Sequence, residues 1–191
     1  MRRIGITGGI GSGKSVVSRL LRIMGYSVYD TDSEAKRLME SSLEVVQKLS
    51  ECFGRDIYHN GRLNRGLLSS RVFGKSDKIV LLNSIVHPVV RFDFYRWSES
   101  LNEEICFVES AILYESRFDE LVDEVWTVTA PEELRISRVR QRSGLTEEEI
   151  KKRMAAQLSE EEKQRSAAHI IWNDGNVSVI HRVLSLLKSL E

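Results

Sequence analysis

The stretch that most constrains this chain is residues 8–15, which read Gly-Gly-Ile-Gly-Ser-Gly-Lys-Ser. It fits the pattern Gly-x-x-x-x-Gly-Lys-Ser/Thr of a phosphate-binding loop. Glycines let the backbone turn tightly and bring its N–H groups close to phosphate oxygens, because no Cβ lies in the way. A lysine adds charge for the outer phosphates, and a serine hydroxyl can ligate Mg²⁺. The sequence therefore predicts a site for the phosphates of a nucleotide.

The flanking residues predict strand, loop and helix in the order that such a loop requires. Residues 3–7 read as a short strand, and apolar side chains recur at helical spacing over residues 16–24. Gly25 then suits a helix end. The N-terminal end of this helix would favour a bound anion. This context disfavours a glycine-rich turn without a ligand.

A dinucleotide-binding loop is the second alternative, because Gly9, Gly11 and Gly13 are closely spaced. Asp30 or Asp32 also follows at about the distance of the acidic residue in that fold, roughly twenty positions. However, the dinucleotide pattern leaves two residues between its second and third glycines and does not need Lys-Ser. The phosphate-binding loop is the better interpretation.

The composition limits what else the chain can be. It has 191 residues, of which 41% are hydrophobic, and its 28 basic and 28 acidic residues give a formal net charge of zero. No global basic field favours nucleic acid as a partner. Two cysteines, Cys52 and Cys106, are too few for a disulfide framework or a zinc site. No apolar run approaches the length of a membrane helix, so we expect no membrane association and a cytoplasmic location.

Carboxylates end two of the predicted strands. Residues 26–30 complete a β-α-β unit that ends in Asp30, with Asp32 two residues later. Ligands bind beyond the carboxyl ends of parallel strands, so either carboxylate can be a catalytic base or bind Mg²⁺ through water, and Asp32 is the preferred base. Helix capping is the alternative. Glu109, at the end of an apolar strand, is equally well explained as a water-mediated Mg²⁺ ligand or as a solvent-exposed carboxylate.

Residues 33–101 have a mainly helical pattern, broken at residues 53–56 and again at the Asn-Gly turn of residues 59–62. The region carries several arginines and a histidine that can bind substrate or simply form a solvated face: Arg62, Arg65, Arg71 and His87. Their pattern alone does not decide between these roles. Trp126 and Trp172, on later predicted strands, are expected in the core.

A basic helical hairpin is predicted after Pro131. Its first helix carries Arg135, Arg138 and Arg142 on one face. A break at Ser143-Gly144 follows, and then a capping box starts a second helix at residue 146. Such a hairpin can be an inert surface. Beside a phosphate-binding loop, it also has the composition of a lid that neutralises a transferring phosphoryl group and excludes water.

The motifs favour a kinase of small molecules. The tetrad Asn-Lys-x-Asp that would normally specify guanine in a regulatory GTPase is absent from the sequence. In a kinase, the loop and Mg²⁺ hold ATP, a carboxylate orients the acceptor hydroxyl and arginines close over the γ-phosphoryl group. The alternatives are a nucleoside or nucleotide kinase and a nucleotide-gated binding module that does not turn over a small molecule.

The sequence also resembles the dephospho-coenzyme A kinases over essentially its whole length. Five segments carry the resemblance: residues 6–15, residues 28–32, the stretch from Phe53-Gly54 to His87-Pro88, the stretch from Arg138 to Gln157, and Asn173-Asp174-Gly175. The sequence departs from the family pattern at three positions. Val16 replaces a threonine, Ala111 replaces a proline after the strand that ends in Glu109, and Thr31 replaces an alanine.

The resemblance implies a three-layer α/β P-loop kinase fold with a central parallel sheet of about five strands. Residues 1–32, 102–134 and 165–191 would form the nucleotide-binding core, residues 33–101 a helical coenzyme-binding domain and residues 135–164 the lid. It also implies that ATP phosphorylates the ribose 3′-hydroxyl of dephospho-coenzyme A.

The implied site residues fall into four groups. Asp32, Lys14, Arg138 and Arg142 would be catalytic. ATP would contact Gly9, Gly11, Ser12, Gly13, Lys14, Ser15, Val16, Asn173 and Gly175. The coenzyme substrate would contact Asp32, Arg65 and His87. Ser15, and Glu109 through water, would hold Mg²⁺.

Overall fold

The structure is a computed structural model that describes residues 1–190. The chain divides into two compact units. The first comprises Met1–Asp30 and the chain from Asn102 onward, and the second comprises Thr31–Leu101. The predicted core continued to residue 32, whereas the second unit begins at Thr31.

Within residues 1–190 the chain forms seven strands and nine α-helices. The strands β1 to β7 are Arg2–Thr7, Val28–Asp30, Tyr58–His59, Arg62–Leu63, Ile105–Glu109, Glu124–Thr129 and His169–Trp172. The helices α1 to α9 are Lys14–Ile23, Thr31–Ser41, Leu43–Phe53, Arg65–Val72, Ser76–Ser100, Glu132–Ser143, Glu147–Ala155, Glu160–Ser166 and Val179–Lys188.

Five parallel strands form the sheet of the first unit, in the order β2-β5-β1-β6-β7. This confirms the predicted α/β fold with its central parallel sheet. The strand that precedes the phosphate-binding loop, β1, is the middle one, and its Ile4 and Ile6 are fully buried. The carboxyl ends of all five strands therefore lie at one edge of the sheet, which is where ligands bind in folds of this kind.

Apolar faces of α1 and α9 pack against this sheet. Val17 and Leu21 of α1 and Val183 of α9 join a buried cluster with the strand residues. Trp126 lies in that cluster as expected, with none of its surface exposed. Trp172 does not, because successive strand residues face opposite sides of the sheet and Ile171 takes the inward position. Trp172 is 45% exposed, so its predicted burial is wrong.

The second unit is mostly helical, as predicted. Helices α2, α3 and α4 each pack against the long helix α5, which continues across Pro88. A two-stranded hairpin of β3 and β4 turns at Asn60 and Gly61, both with positive φ, as the Asn-Gly pair indicated. Helix α2 begins at Thr31 rather than Ser33, because Thr31 and the acidic Asp32 are suited to a first helical turn.

The predicted caps are present in the first unit. Thr146 forms the capping box expected there, with Glu149, and Ser159 forms a second one with Glu162. Helix α6 begins one residue after Pro131 and ends at Ser143, with Gly144 as its C-cap at a φ of 66°. Across residues 1–190, none of the helices combines the length and the apolar character that crossing a membrane would require.

Candidate active site

The glycine-rich loop joins the end of β1 to the start of α1. Gly13 precedes the helix, and Lys14 and Ser15 are its first two residues. Lys14 Nζ donates to the carbonyl oxygens of Gly8 at 2.8 Å and Gly9 at 3.4 Å. The lysine ammonium group is therefore held across the loop. Its charge and the N-terminal end of α1 act at the same place, and together they favour a bound anion.

Gly11 and Gly13 are among the positions of this loop that require glycine. Gly11 has a φ of 82°, and a Cβ there would lie 2.5 Å from the backbone oxygen of Arg135. Gly13 has a φ of 99°, and its Cβ would lie 2.0 Å from Asn173 Nδ2. Any larger residue would combine an unfavourable backbone conformation with a steric overlap. The loop is therefore packed closely against two distant parts of the first unit.

The segment after β7 is bound directly to this loop. Asn173 Nδ2 donates to the carbonyl oxygen of Ser12 at 2.9 Å, and Arg138 Nη2 donates to the carbonyl oxygen of Asn173 at 2.9 Å. Gly175 lies just beyond, with a φ of 91°. Asn173 is thus bonded to the loop, and Arg138 is bonded to Asn173. Within residues 1–190, the buried Arg138 Nη1 and Ser12 Oγ make no hydrogen bond, so both can serve a ligand.

Carboxylates meet at the carboxyl edge of the sheet. Asp30, the last residue of β2, lies beside Glu109, the last residue of β5. Burial raises the pKa of Glu109, and the Asp30 charge adds to the effect, whereas the Ser18 hydroxyl and the Lys14 ammonium lower it. A carboxylate whose charge is disfavoured by burial gains from a nearby cation.

The carboxyl edge of the sheet also offers oxygen atoms that could ligate a metal ion. Ser15, in the first turn of α1, has an exposed side chain with a hydroxyl oxygen. Throughout the described residues, no three His, Cys, Asp or Glu side chains are grouped as a metal site. Mg²⁺ commonly takes one or two protein oxygens and completes its coordination with water and phosphate. The oxygen donors Ser15 and Glu109 fit that mode.

Val16 and the arginines of the predicted row on α6 differ in how far they are exposed to solvent. Val16 follows Ser15 and is 55% exposed. Arg142 lies in the last turn of α6 and is also exposed. Arg135, by contrast, is buried, and its Nε donates to the carbonyl oxygen of Ile10 at 3.1 Å. The three arginines of the predicted row therefore have different surroundings.

Sequence reasoning missed two residues that contact the loop. The Gly9 N–H donates to Glu160 Oε1 and the Ile10 N–H to Gln157 Oε1, both at 2.9 Å. Both acceptors come from the chain after the predicted lid helix α7. Arg135 also pairs with Glu160, with Nη1 3.2 Å from Oε1. Both hydrogen bonds join residues far apart in the chain, 151 and 147 positions, and no short sequence pattern indicates them.

The substrate candidates lie in the second unit. Asp32 is exposed in the first turn of α2. Arg65 begins α4, with Nη2 3.2 Å from Glu40 Oε1. His87 is half-buried in α5, and burial together with the charge of Arg91 lowers its pKa.

Arg71, another arginine that sequence alone left open, has a structural role in the second unit. Its guanidinium pairs with Asp56 and donates to the carbonyl oxygen of Phe53.

We predict that Gly11→Ala weakens ATP binding by about tenfold or more, because the new methyl group strains the backbone and overlaps Arg135 O. Gly25→Ala is the matched control, since Gly25 also has a positive φ, of 93°, but nothing lies within 4 Å of its Cβ position. Calorimetric titration with ATP, alongside thermal unfolding, measures both effects. Equal ATP affinities in the two variants would contradict the prediction.

Comparison with known proteins identifies the family. The profile of the dephospho-CoA kinase family matches residues 2–178. The dephospho-CoA kinase of Porphyromonas gingivalis is 40% identical over 191 residues, covering 100% of this chain and 95% of the relative. That of Bacteroides fragilis strain ATCC 25285 is 41% identical over 189 residues, covering 98% and 92%.

Two solved structures share the fold. A crystal structure from Thermus thermophilus has a TM-score of 0.86 and 36% identity, covering 99% of this chain and 97% of that one. The dephospho-CoA kinase of Campylobacter jejuni has a TM-score of 0.74 and 23% identity, covering 100% and 98%. The loop, the parallel sheet and these full-length matches lead to one conclusion: the chain belongs to the dephospho-CoA kinase family, which catalyses the final step of coenzyme A biosynthesis.

Proposed function

We propose that residues 8–16 hold the triphosphate of ATP while its γ-phosphoryl group passes to the ribose 3′-hydroxyl of dephospho-CoA. The observation that carries this proposal is the glycine loop, fixed against Arg135 and Asn173 with Lys14 lying across it. Phosphoryl transfer needs little covalent help from the protein, so positioning and charge stabilisation supply most of the rate. A preformed loop supports both.

Asp32 is the proposed general base. It accepts the proton of the 3′-hydroxyl while that oxygen forms its bond to the γ-phosphorus. The bond from this phosphorus to the bridging oxygen breaks, and ADP leaves. Two features support the assignment: Asp32 follows β2 by two residues, and β2 ends at the carboxyl edge of the sheet beside Glu109. Its side chain is exposed, which allows contact with a substrate.

Ser15 and Glu109 are the proposed Mg²⁺ residues. Ser15 would contribute its hydroxyl oxygen, and Glu109 would act through a water molecule. Mg²⁺, when bound, neutralises negative charge on the β- and γ-phosphate oxygens. The support comes from the oxygen chemistry of both side chains and from the burial that disfavours an uncompensated charge on Glu109.

Arg138 and Arg142 are the proposed lid arginines, in a lid of residues 135–164. Arg138 donates to Asn173 through Nη2 and retains a second, unpaired nitrogen. Arg142, one turn further along α6, is exposed and can approach a phosphoryl group when the hairpin closes. Asn173 and Gly175 would contact the nucleoside part of ATP.

Residues 33–101 are the proposed coenzyme-binding domain, with Arg65 and His87 on the substrate side. Arg65 is 54% exposed and its partner Glu40 is 35% exposed, so the pair is open to solvent. An exposed ion pair contributes little to stability. Arg65 can therefore exchange Glu40 for a substrate phosphate at small cost, and bidentate binding of phosphate is a strength of arginine.

We predict that Asp32→Asn lowers kcat by roughly a hundredfold or more, because the amide cannot accept the hydroxyl proton. The assay is formation of coenzyme A and ADP from MgATP and dephospho-CoA. Asp77→Asn is the matched control, since Asp77 is an exposed carboxylate in the first turn of α5. Near-normal turnover by Asp32→Asn would remove the base assignment, and no product from the unaltered enzyme would refute the reaction.

We predict that Arg65→Ala raises the KM for dephospho-CoA by about tenfold, with little change in the KM for ATP, because a phosphate ligand is lost. Glu40→Gln removes the same ion pair but leaves the arginine, so its KM for dephospho-CoA should stay equal or fall. Steady-state kinetics with each substrate varied in turn distinguishes the two variants. If both variants raise this KM equally, Arg65 acts through Glu40 rather than on substrate.

A further inference from the structure

The C-terminal part of the predicted lid forms hydrogen bonds with the phosphate-binding loop. Residues 156–163, termed the connector, run from the end of α7 into α8. Two connector side chains accept from neighbouring loop amides: Gln157 Oε1 from the Ile10 N–H and Glu160 Oε1 from the Gly9 N–H. Both distances are 2.9 Å. These N–H groups belong to the first half of the loop, before Gly11, and they are directed at the protein.

A buried ion pair fixes the Glu160 carboxylate. Besides the Gly9 N–H, it receives the Thr129 hydroxyl on Oε2 at 2.9 Å and lies 3.2 Å from Arg135 Nη1. The Arg135 side chain is only 5% exposed and that of Glu160 18%. Arg135 Nε also donates to the carbonyl oxygen of Ile10. A buried carboxylate with several donors has one strongly preferred position, since loss of a partner leaves a charge unpaired.

The connector is also anchored on the side away from the loop. The carbonyl oxygen of Ala111 accepts from Gln157 Nε2 at 3.3 Å and from Lys163 Nζ at 3.1 Å. Lys163 is fully buried, and its Nζ lies 3.7 Å from Glu115 Oε1. The Leu158 N–H donates to the same Glu115 oxygen at 2.7 Å. Ala111 and Glu115 follow β5, so the connector links the loop to the chain beyond the strand that ends in Glu109.

We propose that Gln157 and Glu160 are positioning residues, which fix the first half of the phosphate-binding loop and thereby preorganise the second half for ATP. The inference rests on the proposed role of the loop in holding the triphosphate. Glycines make the loop flexible unless other groups restrain it. A loop that must first be ordered binds its ligand more weakly, because the cost of ordering is subtracted from the binding free energy.

Gln157 also links the loop to the chain at the C-terminal end of the α6–α7 hairpin. Gln157 lies two residues after the end of α7, and it bonds to both the loop and Ala111. Packing alone would require only a side chain of this size. Gln157 instead uses its amide oxygen to accept from the Ile10 N–H and its amide NH₂ to donate to the Ala111 carbonyl oxygen. A side chain of similar size that lacks the amide group therefore separates a role in packing from a role in hydrogen bonding.

The decisive variant is Gln157→Leu, which keeps bulk but removes both hydrogen bonds. We expect hydrogen exchange of the Ile10 amide to accelerate by about tenfold, and the Kd for MgATP to rise by about five- to tenfold, as loss of an ordering hydrogen bond predicts. The KM for dephospho-CoA should change less than about twofold. Gln157→Glu retains an oxygen acceptor, so the Ile10 amide should stay protected better than in Gln157→Leu.

Gln47→Leu is the matched control, because Gln47 also donates a side-chain hydrogen bond, to Glu51 at 2.9 Å, but lies in the second unit. It should leave the Ile10 amide and ATP affinity unchanged. The amide of Phe107, bonded to Ser27 O, reports general destabilisation.

Two results would overturn the proposal: unchanged Ile10 exchange with unchanged ATP affinity in Gln157→Leu, or equal acceleration at Ile10 and Phe107. Exchange and ATP binding need no acceptor substrate, so these readouts remain decisive even if dephospho-CoA is not phosphorylated.

Discussion

The rest of the structure depends on a glycine loop whose shape the loop residues alone cannot enforce. Its positive φ angles at Gly11 and Gly13 are possible because no side chain interferes, and the same freedom makes the isolated segment flexible. Distant residues restrain it: Asn173 bonds to Ser12 O, and Arg135 bonds to Ile10 O. Both restraints come from the β6–β7 side of β1, since Arg135 lies in the helix after β6 and Asn173 directly follows β7.

Charge at this site is arranged locally, in a chain whose formal net charge is zero. Lys14 and the N-terminal end of α1 supply positive potential at the loop, while Glu109 is half-buried at the neighbouring strand end. Like charge from Asp30 and loss of water both disfavour the Glu109 carboxylate. A bound cation would relieve that cost, so in the proposed site an anion and a cation would stabilise each other's binding.

The sequence predicted those structural features that depend on residues close together in the chain. The loop, the turn at Asn60 and Gly61 and the capping boxes depend on short patterns, and all are present. It did not predict contacts between residues that are distant in the chain. Arg135 pairs with Glu160 because α8 returns to the loop, and no sequence pattern near either residue specifies this pairing. The exposure of Trp172 was missed for a related reason, because burial at a strand end depends on which face is covered.

The most direct test is a crystal structure with an unreactive ATP analogue, Mg²⁺ and dephospho-CoA bound together. Our account predicts the β-phosphate against the backbone N–H groups from Gly11 to Val16, with the loop unchanged, and an Asp32 oxygen within hydrogen-bond distance of the ribose 3′-hydroxyl, about 3 Å. A triphosphate bound elsewhere, or an Asp32 carboxylate remote from the hydroxyl while both ligands are in place, would contradict it.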